Sequence, residues 1–485
     1  MSGPLILGTN SIKDTGYDVA NSVRFDGASS AYLERTFSSS GNTKTFTVSF
    51  WVKRTDFATE PDMMSDAQML FGGQQSSYPA FQILFLHTND TIFIKDAQAS
   101  NNIQLSLKTD LTFRDPSAWY HIVLAVDTTQ ATASNRAKLY VNGVLQTDLA
   151  GENQSGGGSD NPLYPNQNQD LQFNGNEAHY INKYATNYED MYMAEFVFID
   201  GQQLAADQFG EFDSSSPNIW KPIDVSDLTF GTNGLYLDFQ DASALGNDVS
   251  GNNNDFTASG LASTDQSTDT CTNNHPTWNP LDNYHAQSTF KEGNLEVRGK
   301  GPGIVYSYET YNTATMGVSS GKWYWEVKLT GIDSGACQIG IVDNVPTSSG
   351  NQMGGRAYGY SYNNGGSVSN NGSSVSGSFS SYTTGDIIGI ALNLDDNELT
   401  FYKNGTVQNS GTAISITAPA STTSGFYFPA GGDENAGNVT LQANFGSPPF
   451  AISSGNSDAN GYGNFEYAVP SGYYTINTKN LAEYG

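Results

Sequence analysis

The stretch from Gly385 to Gly405, GDIIGIALNLDDNELTFYKNG, decides the fold of the region that surrounds it. Apolar residues stand at every second position from Ile388 to Leu394, which is the period of a strand with one buried face. Asp395–Asn397 predicts a turn, Leu399–Tyr402 a second strand, and Asn404–Gly405 a tight turn that needs positive φ angles. A hairpin of this kind cannot bury its apolar face alone, so the stretch predicts a larger antiparallel sheet.

A similar pattern, KLYVNG at 138–143, occurs much earlier in the chain. A chain of 485 residues is also too long for one hydrophobic core. The aromatic content of 12% and the 51 glycines favour strands and turns, and 204–212 alone has a helical pattern. We therefore predict an all-β protein of two antiparallel β-sandwiches (jelly rolls) in series. The predicted parts are an N-terminal arm (1–18), a first sandwich (19–216), a connector with a strand that closes it (217–288), a second sandwich (289–447) and a C-terminal tail (448–485).

Charge limits the classes of partner. The sequence has 49 acidic and 21 basic residues, a net charge of -28, so nucleic acid is not an expected partner. No apolar run approaches the roughly 18 residues that span a bilayer, so we expect no membrane insertion. Cys271 and Cys337 do not form a disulfide framework, and the N-terminus has no signal-peptide pattern, which predicts synthesis in a reducing cytoplasm.

Motifs of catalysis are missing from the sequence. There is no Glu-x-Asp-x-x-Glu run, no Gly-x-Ser-x-Gly elbow, no Walker loop and no paired His or Cys metal spacing. The nearest carboxylate pair, Glu211 and Asp213, has no third carboxylate and predicts a solvated surface. His121 alternates with Trp119 and Val123, which predicts a structural histidine. We therefore predict no catalytic residues and no enzyme activity.

Binding residues are predicted in one tyrosine-rich stretch. Tyr358, Tyr360 and Tyr362 fall on one strand face and are followed by Asn363 and Asn364. Rings in this arrangement stack on sugars or line a peptide groove, and core packing is the alternative interpretation. Tyr362 is the strongest candidate because the turn that follows places it beside a loop.

Oxygen-rich loops make Ca²⁺ the one cofactor that the sequence suggests. The candidate ligands are Asn89, Asp90, Asp127, Asp395 and Asp396. Turns favour the same residue types without any metal, so the turn interpretation stays open beside the metal one.

Four segments characterise the first predicted sandwich: FTVSFWVK at 46–53, WYHIVLAVD at 119–127, KLYVNG at 138–143 and MAEFVFIDG at 193–201. Together they resemble the laminin-G-like or concanavalin A-like jelly roll over about residues 20–215. The second predicted sandwich contains WYWEVKL at 323–329, IGIV at 339–342, the 385–405 hairpin, FYFP at 426–429 and a strand that ends in NFG at 444–446. In this order the segments resemble a SPRY domain over about residues 289–447.

Residues 268–282 and 473–481 resemble segments of virion proteins of tailed, chiefly marine, bacteriophages. This resemblance implies a virion surface protein, a tail fibre or a capsid-attached decoration, that is made in the host cytoplasm and contacts other virion proteins. It also implies a homo-oligomer that binds a host surface glycan or protein, with 153–169 and 358–366 as the recognition loops. A purely structural adaptor and a glycan hydrolase remain as alternative functions.

Overall fold

The protein is described by a computed structural model that covers residues 15–57, 68–75, 78–87, 89–98, 102–152, 158–282, 288–299, 310–332, 336–344, 352–433 and 438–485. The described chain forms two compact units, an N-terminal unit (Thr15–Thr272) and a C-terminal unit (Asn273–Gly485). The boundary between them falls inside the segment predicted as a connector. Most of the predicted N-terminal arm, residues 1–14, lies outside the described residues.

The N-terminal unit is an antiparallel β-sandwich of two large sheets, as predicted. One sheet has the strand order β10-β9-β8-β3-β14-β1-β19 with β17 also paired to β14, the other has the order β12-β11-β7-β6-β5-β4-β13-β2-β18, and β15 and β16 form a separate hairpin. One four-residue helix, α1 (Ala133–Arg136), precedes β9. The strands are β1 (Ser22–Phe25), β2 (Tyr32–Thr36), β3 (Thr45–Arg54), β4 (Gln68–Gln75), β5 (Tyr78–Leu86), β6 (Thr91–Gln98), β7 (Asn102–Thr109), β8 (Trp119–Asp127), β9 (Ala137–Val141), β10 (Val144–Leu145), β11 (Leu149–Glu152), β12 (Gly158–Ser159), β13 (Ala178–Ile181), β14 (Met191–Asp200), β15 (Gly210–Phe212), β16 (Trp220–Pro222), β17 (Leu235–Leu237), β18 (Thr257–Ser259) and β19 (Gln266–Ser267).

The core of this unit lies between the two sheets, and alternation along β3 explains which side chains enter it. Phe46, Val48, Phe50 and Val52 are fully buried there. The opposite face of the same sheet is buried too, since Trp51 on β3 and Tyr192 on β14 are 3% and 0% exposed. A sheet buried on both faces needs a third layer of polypeptide.

Non-strand segments on either side of the sandwich supply that third layer. Val19 packs against Trp51, Trp119 and Tyr192, and Phe209 packs with Val123 and Val197. The prediction of a helix at 204–212 is wrong beyond one turn: Ala206–Gln208 is a single 3₁₀ turn and 210–212 is β15. Ala206 and Phe209 pack against the sheet, and this packing fixes the conformation of residues 204–212. The segment therefore forms one helical turn and no more, despite its helical sequence pattern.

Glu195 occupies a β-bulge of β14 between Ala194 and Val197, where the pairing with β3 shifts register. Its φ of 50° is in the left-handed region, which is strained for a residue with a side chain. The carboxylate accepts hydrogen bonds from the hydroxyls of Tyr236 (2.7 Å) and Tyr17 (3.3 Å). The second of these bonds attaches the segment before β1 to the sheet. Burial raises the pKa of Glu195 to about 7.

The C-terminal unit is a second antiparallel sandwich. Its larger sheet has the order β20-β21-β33-β23-β28-β29-β30, with β31 paired to β29 and β34 to β23, and its smaller sheet has the order β22-β32-β24-β25-β26-β27. One helix, α2 (Thr478–Tyr484), ends the chain and was not predicted. The strands are β20 (Thr289–Lys291), β21 (Glu296–Arg298), β22 (Thr310–Thr313), β23 (Lys322–Ile332), β24 (Cys337–Val342), β25 (Tyr360–Asn363), β26 (Ser367–Asn370), β27 (Ser373–Val375), β28 (Ile387–Asn393), β29 (Glu398–Lys403), β30 (Thr406–Val407), β31 (Ile414–Ser415), β32 (Phe428–Asp433), β33 (Val439–Asn444) and β34 (Tyr474–Thr475).

The predicted hairpin of residues 385–405 is β28 and β29, paired from Ile388↔Lys403 to Asn393↔Glu398. Asn397 and Asn404 have φ angles of 57° and 46°, as the turn residues require. The prediction that Trp323, Trp325, Val327 and Leu329 face the core is confirmed, because all four are 0% exposed. Gly389 lies opposite Glu326 on β23, and a side chain there would press on the Tyr324 hydroxyl.

The C-terminal tail covers the second face of this larger sheet. Phe465 is fully buried against Tyr324 and Ala391. The buried carboxylate of Glu326 accepts hydrogen bonds from the backbone N–H groups of Glu466 (3.0 Å) and Tyr467 (2.9 Å), and from the Tyr324 hydroxyl. Glu326 therefore clamps the tail to the sheet, and burial raises its pKa to about 7.

The structure has no helix, within its described residues, with the length and apolarity that a membrane crossing needs.

Three buried carboxyls predict a pH dependence of stability. Burial raises the pKa of Asp96 to about 8 and those of Glu195 and Glu326 to about 7, so the folded chain holds protons there that the unfolded chain has released. Their contribution to the free energy of unfolding is present below the unfolded pKa values and is lost as pH rises through 7 to 8. We expect thermal midpoints to fall between pH 5 and pH 8.

The variant Glu326→Gln isolates one of these groups. Its C-terminal unit should be less stable than the wild type at pH 5, but it should lose less stability up to pH 8, by on the order of 3 kcal/mol. Glu483→Gln, which changes an exposed carboxylate in the same unit, is the matched control. Calorimetry across the pH range measures both, and a parallel pH profile in Glu326→Gln and wild type would contradict the assignment.

Candidate functional site

A polar cleft of about 400 Å³ lies where three loops of the N-terminal unit meet. The first loop joins β2 to β3, the second follows β14, and the third precedes β17. The lining residues are Ser39, Ser40, Gly41, Asn42, Asp200, Gly201, Gly231, Thr232 and Asn233. The cleft is thus built from parts of the chain that are almost 200 residues apart in sequence, and we call it the Asp200 cleft.

Asp200, the last residue of β14, organises the walls of the Asp200 cleft. Its Oδ1 accepts hydrogen bonds from the Asn42 backbone N–H (2.7 Å) and from Asn174 Nδ2 (2.6 Å). Its Oδ2 accepts one from the Asn233 backbone N–H (3.0 Å). Asn233 Nδ2 in turn donates to the Ser39 carbonyl at 3.0 Å, which joins the third loop to the first. One carboxylate therefore fixes all three loops and preorganises the cleft.

Small residues keep the cleft open. Gly231 has a φ of 77°, and a Cβ there would overlap the Asp200 carbonyl oxygen. Ser40 and Thr232 are exposed at the rim, whereas Asn233 is 6% exposed. The cleft therefore offers hydroxyl, amide and backbone groups to a ligand and no large apolar surface.

The tyrosines predicted to bind a ligand are mostly in the core. Tyr362 is 0% exposed and packs against Phe379, Tyr382 and Phe401. Tyr360 is 5% exposed and packs in the same core, and only Tyr358, before the strand begins, is partly exposed. The prediction that Tyr360 and Tyr362 stack on a ligand is wrong, because the shared face of their strand is the buried one.

The neighbouring asparagines shape the turn after β25. Asn363 Oδ1 accepts from the Gly365 and Ser367 backbone N–H groups at 3.1 and 3.3 Å. Asn364 Oδ1 accepts from the Cys337 backbone N–H at 2.9 Å. Both amide oxygens are thus used by the fold, one within the turn and one between the turn and β24.

The predicted calcium ligands of the N-terminal unit are engaged by protein groups. Asp90 pairs with Arg54 (2.8 Å) and Arg114 (2.6 Å), so two guanidinium groups stand where a cation would bind. Asn89 accepts from the Thr91 hydroxyl. Asp127 accepts from Thr129 and Gln130, and these hydrogen bonds outweigh partial burial and hold its pKa below the usual value.

Asp395 and Asp396 likewise belong to the β28–β29 turn. Asp395 accepts from the Gly321 backbone N–H at 3.1 Å, and Asp396 accepts from Asn393 Nδ2 at 2.8 Å and lies 3.5 Å from Lys322 Nζ. Across the described residues, no three His, Cys, Asp or Glu side chains converge as a metal site would require. The turn interpretation therefore explains these five residues.

His121 is held in a geometry that opposes base catalysis. The Trp220 indole N–H donates to His121 Nδ1 at 3.0 Å, and His121 Nε2 lies 2.9 Å from the Ser49 hydroxyl. Because Nδ1 accepts, Nε2 carries the proton and donates to Ser49, which is the reverse of what a nucleophilic serine needs. Complete burial lowers the pKa of His121 to about 3, so the ring stays neutral.

The predicted recognition loop 153–169 is described from residue 158 onward, and 153–157 lie outside the described residues. Its second half is packed against the unit. The backbone of Leu163 exchanges hydrogen bonds with that of Ser106, and Arg136 donates to the Pro165 carbonyl at 2.9 Å.

Comparison with known proteins agrees with this architecture. Residues 25–178 match the model of the concanavalin A-like lectin/glucanases superfamily, and residues 322–447 match the SPRY domain model. The chain contains a laminin G-like, concanavalin A-like domain and a SPRY domain. No protein with a curated description matches the sequence.

Three solved structures illustrate the similarity of the chain to known folds. The SPRY domain of human HERC1 is 18% identical, with 34% of this chain and 96% of that chain covered and a TM-score of 0.27. The stonustoxin structure is 20% identical, with 35% and 27% covered and a TM-score of 0.26. The TRIM65 PSpry domain is 16% identical, with 35% and 88% covered and a TM-score of 0.26.

The role of Tyr362 can be tested by substitution. Tyr362→Ala removes a fully buried ring from the SPRY core, so it should lower the free energy of unfolding of that unit by about 3–5 kcal/mol. Chemical denaturation measures this loss. Tyr358→Ala, at the partly exposed neighbour, is the control and should cost far less; equal stability of Tyr362→Ala and wild type would contradict the core assignment.

Proposed function

We propose that this protein is a non-enzymatic binding protein whose concanavalin A-like domain takes a carbohydrate in the Asp200 cleft. The observation that carries the proposal is the network around Asp200, which fixes three loops about an open polar space. Preorganised walls lower the ordering cost of binding. The SPRY domain then serves as a second contact module of the same chain.

The chemistry of the cleft favours a sugar over other small ligands. Its side chains are hydroxyls, amides and a carboxylate, and its glycines allow a ring to approach the backbone. A sugar supplies hydroxyls that both donate and accept. The net charge of -28 disfavours anionic polysaccharides, so we propose a neutral glycan.

A hydrolase is not the function we propose. Glycoside hydrolysis needs two carboxyl groups on either side of the scissile bond, whereas Asp200 is the one acidic residue among the nine that line the cleft. Asp200 also accepts three hydrogen bonds from the cleft walls. It is a structural carboxylate, not a free acid or base.

The setting we propose is the virion surface of a tailed bacteriophage, as a tail fibre or a capsid-attached decoration that is assembled as a homo-oligomer. The resemblance of residues 268–282 and 473–481 supports this setting. Many copies suit a shallow polar cleft, since weak contacts with a host glycan gain strength through avidity.

A structural adaptor is the second candidate function, and one surface feature favours it. Val144, Leu145 and Phe212 of the N-terminal unit are 53%, 42% and 44% exposed. A contiguous patch of large apolar side chains on a surface marks a contact with another protein, and we propose that these three side chains belong to such a patch. Such contacts with other virion subunits are compatible with glycan binding elsewhere on the unit.

The variant Thr232→Trp tests the cleft. Thr232 is exposed at the rim, so a tryptophan should fill the cleft with little effect on folding. We expect glycan-array signals of the wild type to fall at least tenfold in Thr232→Trp. Thr257→Trp changes another exposed threonine, on the edge strand β18, and is the matched control that should bind like the wild type.

Two outcomes would overturn the proposal. Equal binding by Thr232→Trp and wild type would place recognition outside the Asp200 cleft. Failure of the wild type to bind any glycan or host cell, together with tight binding to capsid or tail proteins, would favour the adaptor. Imaging of intact particles that carry the protein tests the setting and gives its position and symmetry.

A further inference from the structure

Lys53 and Asp269 form a fully enclosed contact inside the N-terminal unit. Lys53 lies on the central strand β3, and Asp269 lies close to the C-terminal end of the unit. Lys53 Nζ and Asp269 Oδ2 are 2.7 Å apart, and the two side chains are 0% and 3% exposed. A lysine amine and a carboxyl group thus meet where water has little access.

Aromatic rings surround the contact. The Trp119 indole N–H donates to Asp269 Oδ1 at 3.1 Å, and Lys53 Nζ stands 5.6 Å from the centre of the Tyr192 ring. Tyr192 belongs to the same buried cluster as Trp119 and Trp51.

Another lysine pair of this unit lacks that enclosure. Lys95 Nζ and Glu152 Oε2 are 3.0 Å apart, but the two side chains are 8% and 23% exposed to solvent. The buried ion pairs of Arg24 and Arg54 involve guanidinium groups, which stay protonated and are not nucleophiles. The Lys53–Asp269 contact combines full burial with a group that can react.

We infer that Lys53 and Asp269 condense to an isopeptide bond, an amide between Lys53 Nζ and Asp269 Cγ. In the proposed reaction a proton passes from the Lys53 ammonium to Asp269 Oδ2 across the 2.7 Å contact. The resulting neutral amine attacks Cγ, and the nitrogen–carbon bond forms.

The remaining steps balance without any co-reactant. The Trp119 indole N–H is placed to stabilise the oxygen that becomes negative in the tetrahedral intermediate. The bond from Cγ to the protonated oxygen breaks, and the leaving hydroxyl takes one proton from the nitrogen. One water molecule departs, and no electrons are gained or lost.

The product suits the site better than the ion pair. A buried ion pair carries a large desolvation cost, whereas an amide is neutral. The bond would join residues that are 216 positions apart and would tie the outer segment at 268–272 to the central strand. The unit would then be closed covalently without a disulfide.

Mass spectrometry of the denatured full-length chain tests the inference. The wild type should be lighter than its sequence by one water, and its digest should contain a branched peptide that joins Lys53 to Asp269. Lys53→Arg and Asp269→Ala should have their full masses. Asp269→Asn should lose one ammonia instead of one water, because the amide nitrogen of Asn is then the leaving group.

The wild-type measurement decides the question even if a variant fails to fold. A full wild-type mass, or a water loss that persists in Lys53→Arg, would overturn the inference. So would a water loss with Lys53 and Asp269 in separate unbranched peptides, since a cyclic imide at an aspartate also loses water.

Discussion

The structure depends on one constraint, which is that the central strands of both units are apolar on both faces. Every residue of β14 from Met191 to Ile199 is buried, and so is every residue of β28. One face of each sheet packs on its sandwich partner. The other face must be covered by something else, because exposed apolar sheets associate and aggregate.

Each unit meets this constraint with its own irregular segments. In the N-terminal unit these are the stretch around Val19, the segment around Phe209 and the residues near Asp269. In the C-terminal unit it is the tail around Phe465. Buried polar contacts hold these layers in place: Glu195 with Tyr17 and Tyr236, and Glu326 with the backbone at 466–467. The Asp200 cleft lies outside these layers, among the loops at the ends of the strands.

The fold could be predicted because its signals are local. The alternation in Ile388–Leu394 and the turn at Asn404–Gly405 depend on near neighbours, and so does the burial of Trp323 and Trp325. The tail and connector could not be predicted in the same way. Their few apolar residues show no period of their own, and they become buried only by packing on a sheet that is far away in sequence. The helix α2 is short and begins at an Asn477 cap that resembles any polar turn.

The candidate site was predicted poorly for a related physical reason. Alternation placed Tyr360 and Tyr362 on one face but could not tell which face was buried. Asp90 and Asp127 lie in loops whose carboxylates bind backbone, amide or guanidinium groups, and such loops have the same residue types as a calcium-binding loop. Asp200 stood in the sequence beside Gly201, but its partners Asn42, Asn174 and Asn233 come together only when the strands between them pair. A carboxylate directly after a long apolar strand, followed by glycine, was the one available signal.

Hydrogen–deuterium exchange of the intact chain tests the three-layer account most directly. The N–H groups of Phe465 and Thr475 bond to Asn456 and to Asp458 within the tail, and that of Val19 bonds to the Thr272 hydroxyl. If these segments are integral layers, peptides that contain them exchange as slowly as those from β23 and β3. Exchange of the tail and of the Val19 segment as fast as exposed loops, with the sheets still protected, would contradict the account.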